Sequence, residues 1–136
     1  MFVRVMYTTL FVRDQDKALD FYTGKLGFVK RRDHPVPPQE WGLEVGRWLT
    51  VGFEGQDLEV ILAPGTQGQV NANIGRSSLD RGELFVESDD LRKDFETLQS
   101  KGVQFVESAP EDYPFGVRVT ALDPDGNRVS LRERRS

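Results

Sequence analysis

The sequence predicts an α+β fold made of two tandem βαβββ modules. Three observations predict it. The stretch LFVRDQDKALDFY at residues 10–22 is answered by LFVESDDLRKDFE at residues 84–96, so the chain carries an internal repeat. Each copy reads as an apolar strand, an acidic helix cap and an amphipathic helix, and each is followed by further β-rich segments. Between the halves, residues 65–82 turn polar and rich in Gly, Gln, Asn and Ser, which reads as a linker or flap. Residues 1–64 are therefore assigned to the first module and 83–136 to the second, together forming one compact domain.

The elements follow in order. Phe2 to Val12 is rich in β-branched and aromatic residues, with both alternating faces apolar, as in a strand covered on two sides. Asp14 is a helix N-cap, and Ala18, Leu19, Tyr22 and Leu26 recur at helical spacing until Gly27. FVKRR continues as a strand. DHPVPPQEW, with three prolines, reads as a loop, and it contains His34. Leu43 to Phe53 is a strand interrupted at Gly46, and Leu58 to Leu62 is the next. In the second half Glu83 to Glu87 is a strand, and Asp89 or Asp90 caps a helix carrying Leu91, Phe95 and Leu98. Val103 to Val106, Val117 to Leu122 and Arg128 to Glu133 are the last strands, the final two joined by the turn Asp123-Pro124-Asp125-Gly126. On that last strand Arg128, Ser130 and Arg132 share one face and Val129 and Leu131 the other.

Each half thus has one helix and one sheet, which leaves one sheet face bare. Neither half hides that face alone, so the bare faces are expected to meet each other, or a partner chain, around a concave space. A cleft between repeats is a common place for a small ligand.

Composition excludes several functions. The chain has 136 residues, 38% hydrophobic and 29% charged, in the range of an ordinary globular domain. Its net charge is −4, with no basic stripe, so nucleic acid is not an expected partner. The basic run from Arg132 to Arg135 reads as a solvated tail. No cysteine is present, which excludes disulfides, thiolate zinc sites and cysteine nucleophiles and is compatible with a cytoplasmic location. No apolar run approaches the roughly 20 residues of a membrane-spanning helix, and Arg4 and Asp14 argue against a signal peptide. His34 has no defined partners for a Ser-His-Asp triad, and GTQGQVNANIG does not join strand to helix as a phosphate loop must.

VRDQDKALDFYTGKLGF, VESDDLRKDFETLQSKGV and FGVRVTALDPDGNRVSL fall in order and cover most of the chain. Together they resemble the vicinal oxygen chelate superfamily, which includes glyoxalase I, extradiol dioxygenases and fosfomycin- and bleomycin-resistance proteins. The resemblance implies curved mixed sheets around a concave cleft, often completed in a homodimer. In catalytic relatives a divalent metal is held by two first-strand and two last-strand residues. Those positions fall here on Tyr7 of YTTL, Glu59 of DLEV and Ser130 of the DPDGN-x-x-E-L pattern. The fourth falls on Glu83 when anchored on the helix start and on Arg81 when anchored on LFV; Glu83 is preferred.

Tyrosine and serine are poor ligands for Zn²⁺, Ni²⁺ or Fe²⁺, and one histidine cannot build a 2-His-1-carboxylate set within one chain. The sequence therefore points to a metal-free branch, with no cofactor expected. Aromatic rings remain to line a pocket: Tyr7, Phe11, Trp41, Trp48, Phe53, Tyr113 and Phe115. Phe11, Phe21, Phe53 and Phe95 suit the core. YPFGVRV resembles a stretch of the drug-binding relatives, and its Arg118 could meet a ligand carboxylate or phosphate, or pair with a surface acid. The expected ligand-binding set is Tyr7, Trp41, Trp48, Glu59, Tyr113, Phe115, Arg118 and Ser130. The expected function is binding or sequestration of an aromatic or amphipathic small molecule, in the manner of antibiotic-resistance proteins. The alternative is a lyase or isomerase using Glu59 or Glu83 as a base, with or without a metal.

Overall fold

The structure, a computed structural model, describes residues 1–35, 47–65 and 84–135. The chain divides into two compact units, Met1–Gln69 and Val70–Ser136.

The first unit runs β1 (Tyr7–Val12), α1 (Gln15–Gly24), β2 (Val29–Pro35), β3 (Arg47–Gly52) and β4 (Glu59–Pro64). The sheet order is β1-β4-β3-β2, with β1 parallel to β4 and the other pairs antiparallel. Asp14 caps α1 as its sequence position suggests: its carboxylate accepts from the backbone N–H of Asp16 and Lys17 at 3.0 and 3.1 Å. Ala18, Phe21 and Tyr22 of α1 are buried, as are Leu10, Val12, Leu49, Val51, Val60 and Leu62. These six alternate along their strands and form the helix-covered face.

Three expectations change in this unit. The first strand begins at Tyr7, not Phe2, and the chain before it is exposed, Phe2 fully so. The cause is the partner strand: β4 starts at Glu59, opposite Tyr7, and the ladder ends with the Glu59 N–H donating to the Met6 carbonyl at 3.0 Å. The strand read as beginning at Leu58 begins at Glu59, and Leu58 is exposed. His34 is on a strand, not in a loop, paired in register with Trp48. β2 is the edge strand, so its terminal Pro35 removes no essential ladder bond.

The second unit runs β5 (Leu84–Glu87), α2 (Leu91–Ser100), β6 (Gln104–Phe105), β7 (Glu111–Tyr113), β8 (Gly116–Leu122) and β9 (Arg128–Arg134). Its sheet order is β5-β9-β8-β6, with β7 also pairing β8. β5 is parallel to β9, repeating the first unit's β1–β4 arrangement. Asp90 caps α2, accepting from the Lys93 N–H at 3.3 Å, and Glu133 of β9 accepts from the Leu91 N–H at 2.8 Å. That second bond fixes α2 on the β9 face carrying Val129, Leu131 and Glu133. Leu91, Phe95 and Leu98 are buried in α2, and Val117, Val119 and Ala121 in β8. The short strand β7 has no counterpart in the sequence reading, because Glu-Asp-Tyr between prolines lacks a β-rich pattern.

The β8–β9 turn is built by one carboxylate. Asp123 Oδ1 accepts from the N–H of Asp125 and Asn127 at 2.9 and 2.8 Å, and Oδ2 accepts from Asn127 Nδ2 at 2.8 Å. Gly126 has φ 84°, a conformation glycine adopts without a steric penalty. The turn sets the β8–β9 register, which pairs Thr120 with Ser130 and Arg118 with Arg132.

One core and one surface substitution test this packing. Leu91→Ala, at a position 0% exposed, is expected to cost about 2–5 kcal/mol, whereas Leu58→Ala, 42% exposed, costs less than about 1 kcal/mol, both read from urea denaturation. Gly116→Ala is expected to disrupt the β7–β8 hairpin, since its Cβ would lie 1.8 Å from the Glu133 carbonyl oxygen at φ 148°. Loss of amide protection at Tyr113 and Val117 in hydrogen exchange would report it.

Candidate functional site

The face of the first sheet turned away from α1 carries Tyr7, Trp48, Thr50 and Glu59. The parallel register sets Tyr7 beside Glu59. Thr50 sits opposite Ile61, two residues from Glu59 on the same face, and its hydroxyl donates to Glu59 Oε1 at 2.7 Å. Glu59 is 6% exposed and Thr50 0%. The carboxylate is also flanked by cations: Arg32 Nε lies 3.4 Å from Oε1, and Arg31 Nη2 lies 3.9 Å from Oε2. Tyr7 and Trp48 meet edge to face, their ring centroids 5.4 Å apart. The result is a buried, charge-compensated carboxylate beside an aromatic pair.

The face of the second sheet turned away from α2 is more open. Ser130 is 1% exposed, and its hydroxyl accepts from Arg132 Nε at 2.7 Å. The Arg132 guanidinium lies over two rings, Phe85 and Tyr113, at 5.1 Å from each centroid. Arg118 lies 5.3 Å from the Tyr113 centroid and 4.0 Å from Glu111, so the expected surface ion pair forms alongside a ring contact. Tyr113 and Phe115 stand edge to face at 6.0 Å. Phe85 is 61% exposed and Phe115 71%.

The basic C-terminal run is solvated, with Arg134 and Arg135 exposed, but it is a strand end rather than a free tail. β9 extends through Arg134, which makes two bonds to the Glu87 carboxylate at 2.7 and 2.9 Å, and Arg135 donates to Asp112 at 2.6 Å. Strand pairing with β5 and β8 draws these arginines onto the sheet, where acids and rings are in reach. The hydrogen bond from Arg134 holds the Glu87 carboxyl below the usual glutamate range, and Glu87 in turn raises Arg134. The hydrogen bond from Arg135, with the Arg92 charge beside it, lowers Asp112.

Of the residues expected in the site, Tyr7, Trp48 and Glu59 come together in the first unit, and Tyr113, Arg118 and Ser130 share a face in the second, with Phe115 at the β7–β8 turn. Trp41 and Glu83 lie outside the described residues. Sequence reasoning missed Phe85, Arg132, Thr50 and the Arg31–Arg32 pair. The alternation of Arg132 with Ser130 was visible in the sequence, but nothing local showed that β5 would set Phe85 opposite Ser130.

The metal implied by the resemblance does not suit the positions described. A divalent ion at Glu59 would share its carboxylate with two guanidinium groups, and Tyr7 and Ser130 offer only neutral hydroxyls. Among the described residues no group of three or more His, Cys, Asp or Glu side chains is placed to hold a metal ion.

Comparison with known proteins agrees with this architecture. The family model described as the Glyoxalase/Bleomycin resistance protein/Dioxygenase superfamily matches residues 4–131, and the chain belongs to that superfamily. The crystal structure of UcmS2 is similar, with a TM-score of 0.77 and 30% identity, covering 97% of this chain and 98% of that one. TnmS3, an antibiotic binding protein from Streptomyces sp. CB03234, has a TM-score of 0.76 and 28% identity, covering 98% of each chain. YetH of Bacillus subtilis (strain 168) is 28% identical over 133 residues, covering 98% of this chain and 100% of its own.

Two outcomes test the electrostatics. Thr50→Val removes a donor from a buried carboxylate and is expected to cost about 1–3 kcal/mol in urea denaturation at neutral pH. The Glu87–Arg134 pair acts in the opposite pH sense to a histidine switch. Because the folded carboxyl is depressed, its contribution is present above the ordinary value of 4.5 and is lost as pH falls through the lower folded value. The small stability difference between the parent chain and Glu87→Gln is therefore expected at pH 7 and should shrink as pH falls below 4.5. An unchanged difference at the acid end would contradict the pairing.

Proposed function

We propose that the chain is a small-molecule binding protein, a cytoplasmic homodimer that sequesters an aromatic or amphipathic ligand without a divalent metal and without turnover. The observation that carries this reading is the second unit's helix-free face. Exposed Phe85 and Phe115 accompany Tyr113, and Arg132 lies over Phe85 and Tyr113 while bonded to buried Ser130. Exposed aromatic surface with a handful of oriented polar atoms is what recognition of a flat organic molecule requires. Tyr113, Phe115, Arg118 and Ser130 supply that surface here, while Tyr7, Trp48 and Glu59 form a separate group in the first unit. Likeness to an antibiotic binding protein over nearly the full chain supports the same reading.

The enzyme alternative asks Glu59 to accept a proton from a substrate. Its carboxylate already accepts from Thr50 and stands beside two guanidinium groups, an arrangement suited to a fixed counter-charge.

The test is a fluorescence titration of the purified chain with a panel of aromatic antibiotics, following its tryptophans, with elemental analysis for bound metal. Saturable quenching by at least one compound, recovery of that compound unaltered and no stoichiometric metal are expected. Tyr113→Ala should weaken the interaction by about tenfold, the scale of one lost aromatic contact. Conversion of the compound, lost in Glu59→Gln with binding retained, would replace this reading with the enzymatic one. Size-exclusion chromatography with light scattering should give twice the chain mass.

A further inference from the structure

We propose that the second unit's helix-free face recognises a planar aromatic anion, an aromatic carboxylate or phenolate, and that Arg132 is the residue that reads its charge. This rests on the binding-protein reading and narrows it to a ligand class.

The basis is how charge is distributed over one sheet. The chain has more acids than bases, 22 against 18, so a cation without an acid needs a reason. Of the second unit's arginines, Arg92, Arg118, Arg134 and Arg135 have acids. Arg134 takes Glu87 with two bonds, Arg92 and Arg135 share Asp112, and Arg118 lies 4.0 Å from Glu111. Glu87 is the register partner of Arg132, yet its carboxylate is turned to Arg134. Among the described residues no carboxylate lies within ion-pair distance of Arg132. Its guanidinium has rings instead, Phe85 and Tyr113, each at 5.1 Å.

That environment makes Arg132 a prepared donor. Contact with two rings orients the guanidinium plane and favours its charge without neutralising it. The bond from Nε to Ser130 Oγ fixes the remaining freedom, and Ser130 is itself buried. The Nη groups keep their donors, in the fork geometry that matches a carboxylate. Phe85, under Arg132, and Phe115, 6.0 Å from Tyr113, are both largely exposed. A neutral aromatic would satisfy the rings and leave the cation unmatched. An inorganic anion would do the reverse. A flat aromatic acid satisfies both.

The experiment compares three probes on the full chain by calorimetry and NMR at neutral pH: naphthoate, its neutral amide naphthamide, and cyclohexanecarboxylate. Naphthoate is expected to bind saturably and at least about tenfold more tightly than either of the others, with shifts at Phe85 and Tyr113. Arg132→Gln should reduce naphthoate to the level of naphthamide while leaving naphthamide unchanged. Equal binding of naphthoate and naphthamide would overturn charge recognition but leave aromatic sequestration standing. Equal binding of naphthoate and cyclohexanecarboxylate would reduce the site to a bare cation and overturn the aromatic half. Saturable binding by none of the three overturns the inference, while the antibiotic panel decides the broader reading separately. The probe comparison uses the unaltered chain, so it does not depend on the variant folding.

Discussion

The parallel pairing of the first and last strand in each unit is the constraint on which everything else depends. A parallel pair cannot be closed by a tight turn; it needs a long crossover. Here the crossover is a helix and the intervening strands of the same sheet, so the helix can cover only one face. The same pairing decides which residues meet on the other face. It sets Tyr7 beside Glu59 in the first unit and Phe85 beside Ser130 in the second. Residues more than forty positions apart become neighbours through register alone.

The two helix-free faces have taken different characters on this common frame. In the first, a carboxylate is buried, and a hydroxyl and two guanidinium groups answer it. An acid so compensated is tolerated in a desolvated place, whereas an isolated one would not be. In the second, the buried polar atom is a serine hydroxyl, and the charge above it is a cation resting on rings. The frame is repeated, but the chemistry it presents is not.

Local chemistry explains what the sequence made legible. Caps at Asp14 and Asp90 and the turn at Asp123 are read from a few adjacent residues, because side chain and backbone bond within one turn. The alternation of Arg128, Ser130 and Arg132 likewise needs only a period of two. Pairing across strands is different. That Arg132 would leave Glu87 to Arg134 and settle between Phe85 and Tyr113 depends on three strands at once. The start of β1 was misplaced for the same reason, since it is set by where β4 begins. The small strand β7, with acids at two of its three positions, is held by β8 rather than by its own propensity.

The Asp123 network carries one further consequence. Bonds that help fix the β8–β9 register lie within the turn, among Asp123, Asp125, Gly126 and Asn127, apart from Phe85, Tyr113 and Arg132 on the helix-free face. Foldability and selectivity are therefore written in separate letters of the chain. Such a division lets a duplicated module diverge: the face can be rewritten, ring by ring and charge by charge, while the hairpin beneath it keeps its alignment. A scaffold of this kind is suited to retargeting, whether by natural drift or by laboratory selection.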